Sequence, residues 1–448
     1  MRLQAITPKA IAQPGEAASA LTAGAVDARA IRRGASFMVI LTGVASALNY
    51  ASNLAFSRVL STTGYGELTA LLAFSVVLAV PTGAAQTVIA ERVAVHMADG
   101  RIDRVRYLVR HALAHVGVIA LLGGAIYVAA IPLVVKAFSL EHWGPAAALA
   151  PLIVLAFVQP VALGVLQGLD RFRAFGVMLL CIAVGRIAFG LPWALAGGGA
   201  GGALAGQALG MFVVLLTAGW LMRDLLLPRG SGAARSGFKR KPDTRTVSAS
   251  AAFVCFAVIS NLDIVLAKIF MSGHDSGIYA ALATIGKVVL FLPAAVAVVM
   301  VPNAARAELS AGESSRVLRI AAMFVGGIAL VAAIPAVVAP HLVIDLMFGS
   351  KYSEAAQGIL PMVVAGGALA MTNLLVVYAV AIRDKRWTLL LVVGVTLQVV
   401  GIGLFHGSPT QVATVQACVA LVVLALNELW FHSIVFPTKA PARRFGRK

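Results

Sequence analysis

From residue 36 onward the chain reads as twelve apolar runs separated by short polar connectors. The runs cover 36–57, 66–90, 112–134, 146–168, 174–196, 200–222, 247–271, 278–302, 317–340, 358–382, 387–405 and 411–436. An α-helix needs roughly 20 apolar residues to cross the hydrocarbon core of a bilayer, and each run is about that long. Backbone groups in lipid must be hydrogen-bonded within their own segment, so runs of this kind are helices. The pattern therefore predicts an all-α polytopic membrane protein with about 12 transmembrane helices.

Composition agrees. Hydrophobic residues make up 60% of the chain, charged residues only 12%, and the mean hydropathy is +0.92. A soluble domain would be about 25% charged. All but six of the 36 Lys and Arg lie in the two ends of the chain and the even-numbered connectors; Arg58, Lys136 and Lys351 lie in odd-numbered connectors, and Arg186, Lys268 and Lys287 lie inside runs. By the positive-inside rule, both termini and the even connectors are cytoplasmic. The net charge of +18 then reflects topology and attraction to anionic membrane lipids, and no nucleic-acid partner is implied.

The organisation follows from these connectors. Residues 1–35 form an unstructured cytoplasmic tail, 36–222 hold spans one to six, 223–246 a basic linker with Lys239, Arg240 and Lys241, 247–436 spans seven to twelve, and 437–448 a basic tail. The halves begin alike: Asn53-Leu54, Gly64-Tyr65-Gly66 and Pro81 against Asn261-Leu262, Gly277-Ile278-Tyr279 and Pro293. Both halves start on the same side, so the repeat is parallel. It implies two six-helix lobes facing each other across a central cavity.

Charges inside the apolar runs mark the candidate site, because each costs about 2.5–3.5 kcal/mol at a span centre. Arg186 is the only charge in its run and lies near mid-span. Asp263 and Lys287 flank the connector 272–277, each about nine residues deep, or about 13 Å, on neighbouring antiparallel helices. They admit two readings: a structural ion pair, or a pair in which Asp263 exchanges a proton while Lys287 switches to a substrate anion. Lys268, about three residues from the outer end, either snorkels or lines the cavity. Asn49, Tyr50 and Asn53 share a helix face. Asn261, Gln86, Gln159, Asn373 and Gln398 also sit within runs, where an amide either meets a polar cargo or joins helices. Arg58 and Arg92 are rim residues or interfacial anchors.

Asn261-Leu262-Asp263, Ser276-Gly277-Ile278-Tyr279-Ala280, Pro293 and Val301-Pro302-Asn303-Ala304 resemble the start of the second half in the polysaccharide flippases of the multidrug, oligosaccharidyl-lipid and polysaccharide exporter superfamily. Leu346-Met347-Phe348-Gly349-Ser350-Lys351-Tyr352 before Ile359-Leu360-Pro361 is similar to that family's outer loop before span ten, and Gln167-Gly168 through Phe172 to its turn between spans four and five. The resemblance covers about 36–436. It implies a MATE-like fold in a bacterial cytoplasmic membrane and a polyprenyl-diphosphate-linked oligosaccharide as cargo, with polysaccharide polymerase or assembly proteins as possible partners.

A concentrated anion of that kind suits cationic lining. The expected substrate residues are Arg186, Lys287, Lys268, Asn261, Asn53 and Gln159, with Asp263 as the ion-coupling group. An ion-coupled drug exporter of the same fold would favour acidic lining. A lipid-linked peptidoglycan precursor flippase is the third reading, although that family usually has fourteen spans. No cofactor is implied. The sequence has no phosphate-binding Gly-x4-Gly-Lys-Ser/Thr stretch and no His-Glu-x2-His, Cys181, Cys255 and Cys418 are widely spaced, and His111 and His115 have no third ligand, so no metal is expected. The short outer connectors speak against a membrane enzyme. Gly198, Gly202, Gly206 and Gly210 form a smooth stripe whose default meaning is close helix packing.

Overall fold

The computed structural model describes residues 41–226, 244–292, 311–381 and 386–431, and every regular element among them is helical. Six helices build the N-lobe: α1 over 41–59, α2 Thr62–Ala98, α3 Ile102–Ala137, α4 Gly144–Gly168, α5 Phe172–Gly185 and α6 Gly199–Leu221. Eight build the C-lobe: α7 Thr244–Ile259, α8 Leu262–Phe270, α9 Gly273–Phe291, α10 Ala311–Val338, α11 Pro340–Met347, α12 Ile359–Ala381, α13 Arg386–Leu404 and α14 Pro409–Phe431. Nine helical stretches among the described residues are long and apolar enough to cross a membrane, one of them the 50-residue path through α5 and α6; with α7 and α8 as two pieces of one passage and α11 in the outer loop before α12, the arrangement fits about twelve passages. The tail 1–35, the linker residues 227–243, the far part of the eighth run with Pro293, and the tail 437–448 lie outside the described residues.

Helix ends differ from the apolar runs where capping and charge decide them. At 37 and 36 residues, α2 and α3 reach about 55 Å, well beyond a hydrocarbon core of about 30 Å. Their excess lies at the inner end, where Arg92, Arg101, Arg104, Arg106 and Arg110 cluster and the helices continue as ordinary soluble ones. The connector 272–277 is mostly helical instead of a loop. Ser272 caps α9 by accepting from the Asp275 amide at 3.1 Å while its hydroxyl donates to the Asp275 carboxylate at 2.7 Å. Three N-lobe turns close alike, with Gly100, Ser139 and Asp170 in the left-handed region and the next amide reaching back five residues: Arg101 to His96, Leu140 to Val135 and Arg171 to Leu166.

Two irregular places matter for function. The helical path from α5 continues through a π-turn at Arg186–Gly190 and another at Ala194–Gly198 before α6. The glycine stripe packs on that path backbone to backbone: a Cβ on Gly206 would run into the Phe189 carbonyl and stand 2.6 Å from the Gly190 Cα, and one on Gly210 would meet Gly185 at 2.9 Å. The second irregularity is the break at Ser260 and Asn261 between α7 and α8. The Ile259 carbonyl left over there is taken by two buried amides of the last two spans, Gln398 at 2.9 Å and Gln416 at 3.2 Å, which also bond each other at 2.7 Å. Gln398 thus holds a helix break, and Gln86, bonded to Gln167 at 3.4 Å, ties α2 to α4.

Three apolar cores define how the lobes meet. One is shared and occupies the outer halves, joining Phe56, Leu60, Tyr65 and Leu68 of the N-lobe to Ile278, Tyr279, Phe348 and Tyr352 of the C-lobe. The other two occupy the inner halves, and each draws on one lobe alone, around Val93, Leu166 and Phe175 or around Phe256, Leu375 and Leu391. The lobes share one core outside and keep a core each inside, where α2 of the N-lobe still packs against α7 of the C-lobe. At the fused end glycines remove the side chains between helices: a Cβ on Gly66 would sit 2.8 Å from the Gly277 amide nitrogen.

Candidate functional site

The candidate site lies where α1, the first π-turn, α7–α8 and α9 converge. Arg186 begins the π-turn, a local widening that occurs preferentially at functional positions. It is 8% exposed and lies over the Phe56 ring at 5.8 Å. One terminal nitrogen donates to the Asn49 side-chain oxygen at 2.5 Å and the other to that of Asn53 at 2.7 Å. Such bonds to a charged donor are worth about 1.5–3 kcal/mol each, enough to offset the insertion cost of the arginine. Nothing neutralises it: among the described residues no carboxylate lies within ion-pair distance, and its Nε has no partner.

Lys287 presents the second cation from the other lobe. Its ammonium donates to the Asn261 side-chain oxygen at 2.7 Å, and its backbone carbonyl accepts from the Tyr50 hydroxyl of α1 at 3.0 Å. Asn261 is fixed in turn by a bond from its amide to the Ala257 carbonyl at 2.8 Å, across the helix break. The two repeat-equivalent asparagines, Asn53 and Asn261, therefore do the same thing: each accepts a bond from a cation of its own lobe.

The expected ion pair of Asp263 with Lys287 is not made. Asp263 is 4% exposed, and its Oδ2 accepts from the Tyr279 hydroxyl at 2.8 Å while Oδ1 has no partner. Lys287 lies within electrostatic reach of both Asp263 and Arg186 but spends its hydrogen bond on Asn261. Equal depth placed the two charges near each other; the helix break, which offers an amide oxygen closer to the ammonium, decided the partner.

Lys268 neither snorkels nor joins Arg186 and Lys287. It is 2% exposed and reaches across the seam to Glu67 of α2, with Nζ 4.0 Å from Oε1, inside the fused outer end. Around that pair the lobes exchange further contacts. Tyr65 bonds Thr284 at 2.9 Å, Lys351 donates to the Leu60 carbonyl at 2.6 Å, and Arg58 donates to the Leu346 carbonyl at 2.5 Å. Arg58 and Lys351 each cover carbonyls at the C-terminal end of a helix in the opposite lobe, where helix dipoles favour cations. Gln159 lies half-buried on α4. Glu67 and Thr284 were missed by sequence reasoning, which named Tyr65 and Tyr279 only as markers of the repeat and the resemblance. Glu67 was legible as the only carboxylate of its run, one residue from the run's start.

No family model matches the chain, and no curated protein sequence matches it significantly. Solved structures do. The lipid II flippase MurJ in an inward closed conformation superposes with a TM-score of 0.68 at 10% identity, covering 89% of this chain and 87% of that one. The MATE multidrug transporter DinF-BH gives 0.64 at 12% identity over 91% and 96%. A MOP superfamily transporter from Pyrococcus furiosus, described for the reverse polarity of its binding pocket, gives 0.62 at 15% identity over 89% and 95%. The protein is thus a multi-pass membrane protein with a MATE-like fold. That fold houses both drug exporters and a lipid flippase, and identities this low establish the fold alone.

Proposed function

We propose that this protein is a secondary flippase that moves polyprenyl-diphosphate-linked oligosaccharide repeat units across a bacterial cytoplasmic membrane for cell-surface polysaccharide synthesis. One observation carries the reading: Arg186 and Lys287, one on each lobe and within electrostatic reach of each other, are held by amides and, among the described residues, make no ion pair with a carboxylate. Two buried cations that make no ion pair, with Asp263 within electrostatic reach of Lys287 alone, suit an anionic ligand, and guanidinium and ammonium groups are the donors that suit a diphosphate. A cationic drug would meet repulsion there. Asn53 and Asn261 act as positioning residues that aim the two cations. Asp263, buried and bound by only one of its oxygens, is the candidate ion-coupling group, and Gln159 a candidate contact for the sugar. Polymerase or assembly proteins would take up the flipped product.

The likeness to MurJ supports a second cargo of related kind, a lipid-linked peptidoglycan precursor. The test is flipping of fluorescent lipid-linked substrates in proteoliposomes, comparing the oligosaccharide carrier, the peptidoglycan precursor and a cationic dye. The oligosaccharide lipid is expected to flip, and Arg186→Ala or Lys287→Ala to slow it by about 10- to 100-fold, the loss of a charge-assisted contact of about 1.5–3 kcal/mol. Export of the dye without lipid flipping overturns the proposal. Flipping of the peptidoglycan precursor alone replaces the cargo.

A further inference from the structure

Away from Arg186 and Lys287, the outer face of the N-lobe holds a cavity of about 970 Å³. Its walls come from the start of α2 with Ser61, Thr63 and Glu67, from the α3–α4 connector with Glu141 and His142, and from the turn that begins at Trp193. Five of the six residues 197–202 are glycines, and Gly197 and Gly199 hold φ of 90° and 53°, a region closed to most side chains. That turn therefore offers bare backbone amides and carbonyls. Trp193 is 49% exposed, which leaves indole surface available to a ligand.

The charge balance narrows the ligand class. Glu67 is 8% exposed at the edge of the cavity, and Lys268 neutralises it from the lobe seam. Glu141 is the remaining carboxylate of the cavity wall, exposed at the rim. A multivalent or strongly cationic ligand would find little net negative charge. A neutral polyhydroxylated one finds carboxylate and backbone oxygens that accept from its hydroxyls, Ser and Thr hydroxyls that donate or accept, and an amphipathic aromatic surface for the C–H face of a sugar ring.

We infer that this outer cavity is a binding site for a pyranose oligosaccharide, with Trp193 as its stacking platform and Glu141 and Glu67 as hydroxyl acceptors. The site stands on its own geometry; only the identity of its natural ligand with the glycan of the cargo rests on the flippase reading. A headgroup delivered outward would meet this site next to the Glu67–Lys268 contact.

The test uses the full-length protein in nanodiscs with free maltooligosaccharides and chitooligosaccharides at millimolar concentration, read by saturation-transfer NMR of the sugar ring protons. Saturation transfer is expected, weakened about tenfold or more by Trp193→Ala and by Glu141→Gln, and unchanged by Trp143→Ala, a neighbouring tryptophan outside the cavity wall. Absence of transfer for every sugar, or transfer that survives both Trp193→Ala and Glu141→Gln, overturns the site. Displacement of the sugar by tetraethylammonium, with tighter binding of that cation, converts it into a cation site and overturns the inference too. Saccharide binding in a protein that flips no lipid would strike the flippase reading and leave the cavity assigned.

Discussion

Substituting Gly206 by alanine tests whether backbone packing of α6 sets the position of Arg186. The added Cβ would overlap the Phe189 carbonyl and stand 2.6 Å from the Gly190 Cα, whereas ordinary contact begins at 3.4 Å. The atoms in the way are backbone, so the helices must part by about 1 Å instead of a side chain turning aside. Overpacking of this kind costs about 1–3 kcal/mol, and the displaced segment is the π-turn that starts at Arg186. For a unit the size of one lobe, each kcal/mol lowers the unfolding midpoint by about 2–4 °C. A shift of about 1 Å is also enough to misplace a guanidinium bonded to both Asn49 and Asn53. Gly219→Ala on the same helix is the control, since nothing lies within 4 Å of its added methyl. Thermal unfolding in detergent and lipid flipping in proteoliposomes are to be measured on both variants. Gly206→Ala is expected to lose stability and transport while Gly219→Ala keeps both. Equal behaviour of the two refutes the reasoning.

Gln398→Ala leaves the Ile259 carbonyl with the longer bond from Gln416 alone and is expected to destabilise the C-lobe by about 1–3 kcal/mol, seen as a lower thermal midpoint. Charge reversal at Glu67 or Lys268 singly should loosen the outer seam, so that a cysteine placed there reacts faster with an impermeant maleimide; the double swap should restore protection, and a swap as reactive as the single variants would show that the ion pair does not hold the seam. Asp263→Asn preserves an acceptor for Tyr279 and removes the charge. It is expected to abolish the response of flipping to an imposed ion gradient, and an undiminished response would end the coupling role of Asp263.

Much of this was legible in the sequence, for reasons that also explain what was not. Hydrophobic length and the basic connectors fix twelve passages because lipid allows a spanning segment little but a helix, and the glycine stripe announced a close approach because a missing Cβ acts locally. Asp263 and Lys287 came out near each other because depth along a helix is additive. Their partners did not, since hydrogen-bond choice depends on small differences in distance at a helix break that apolar pattern does not encode. Lys268 was misjudged because distance from a span's end says nothing about a carboxylate arriving from the other lobe. Glu67 went unnamed in the sequence analysis because its lysine partner comes from the other lobe. The inner ends of α2 and α3 ran long because polarity marks where the membrane stops, whereas a helix stops only where a cap such as Gly100 ends it.

On the flippase reading, the placement of Arg186 on one lobe and Lys287 on the other has a consequence for the empty protein. The two like charges lie within electrostatic reach across the lobe seam, and Asp263, which makes no ion pair with Lys287, offsets the repulsion on that side. An anion arriving between them would attract both cations at once and so draw the two lobes together. Cargo would then supply a cross-link that the side chains do not make themselves, and cycling without cargo should speed up when either cation is neutralised.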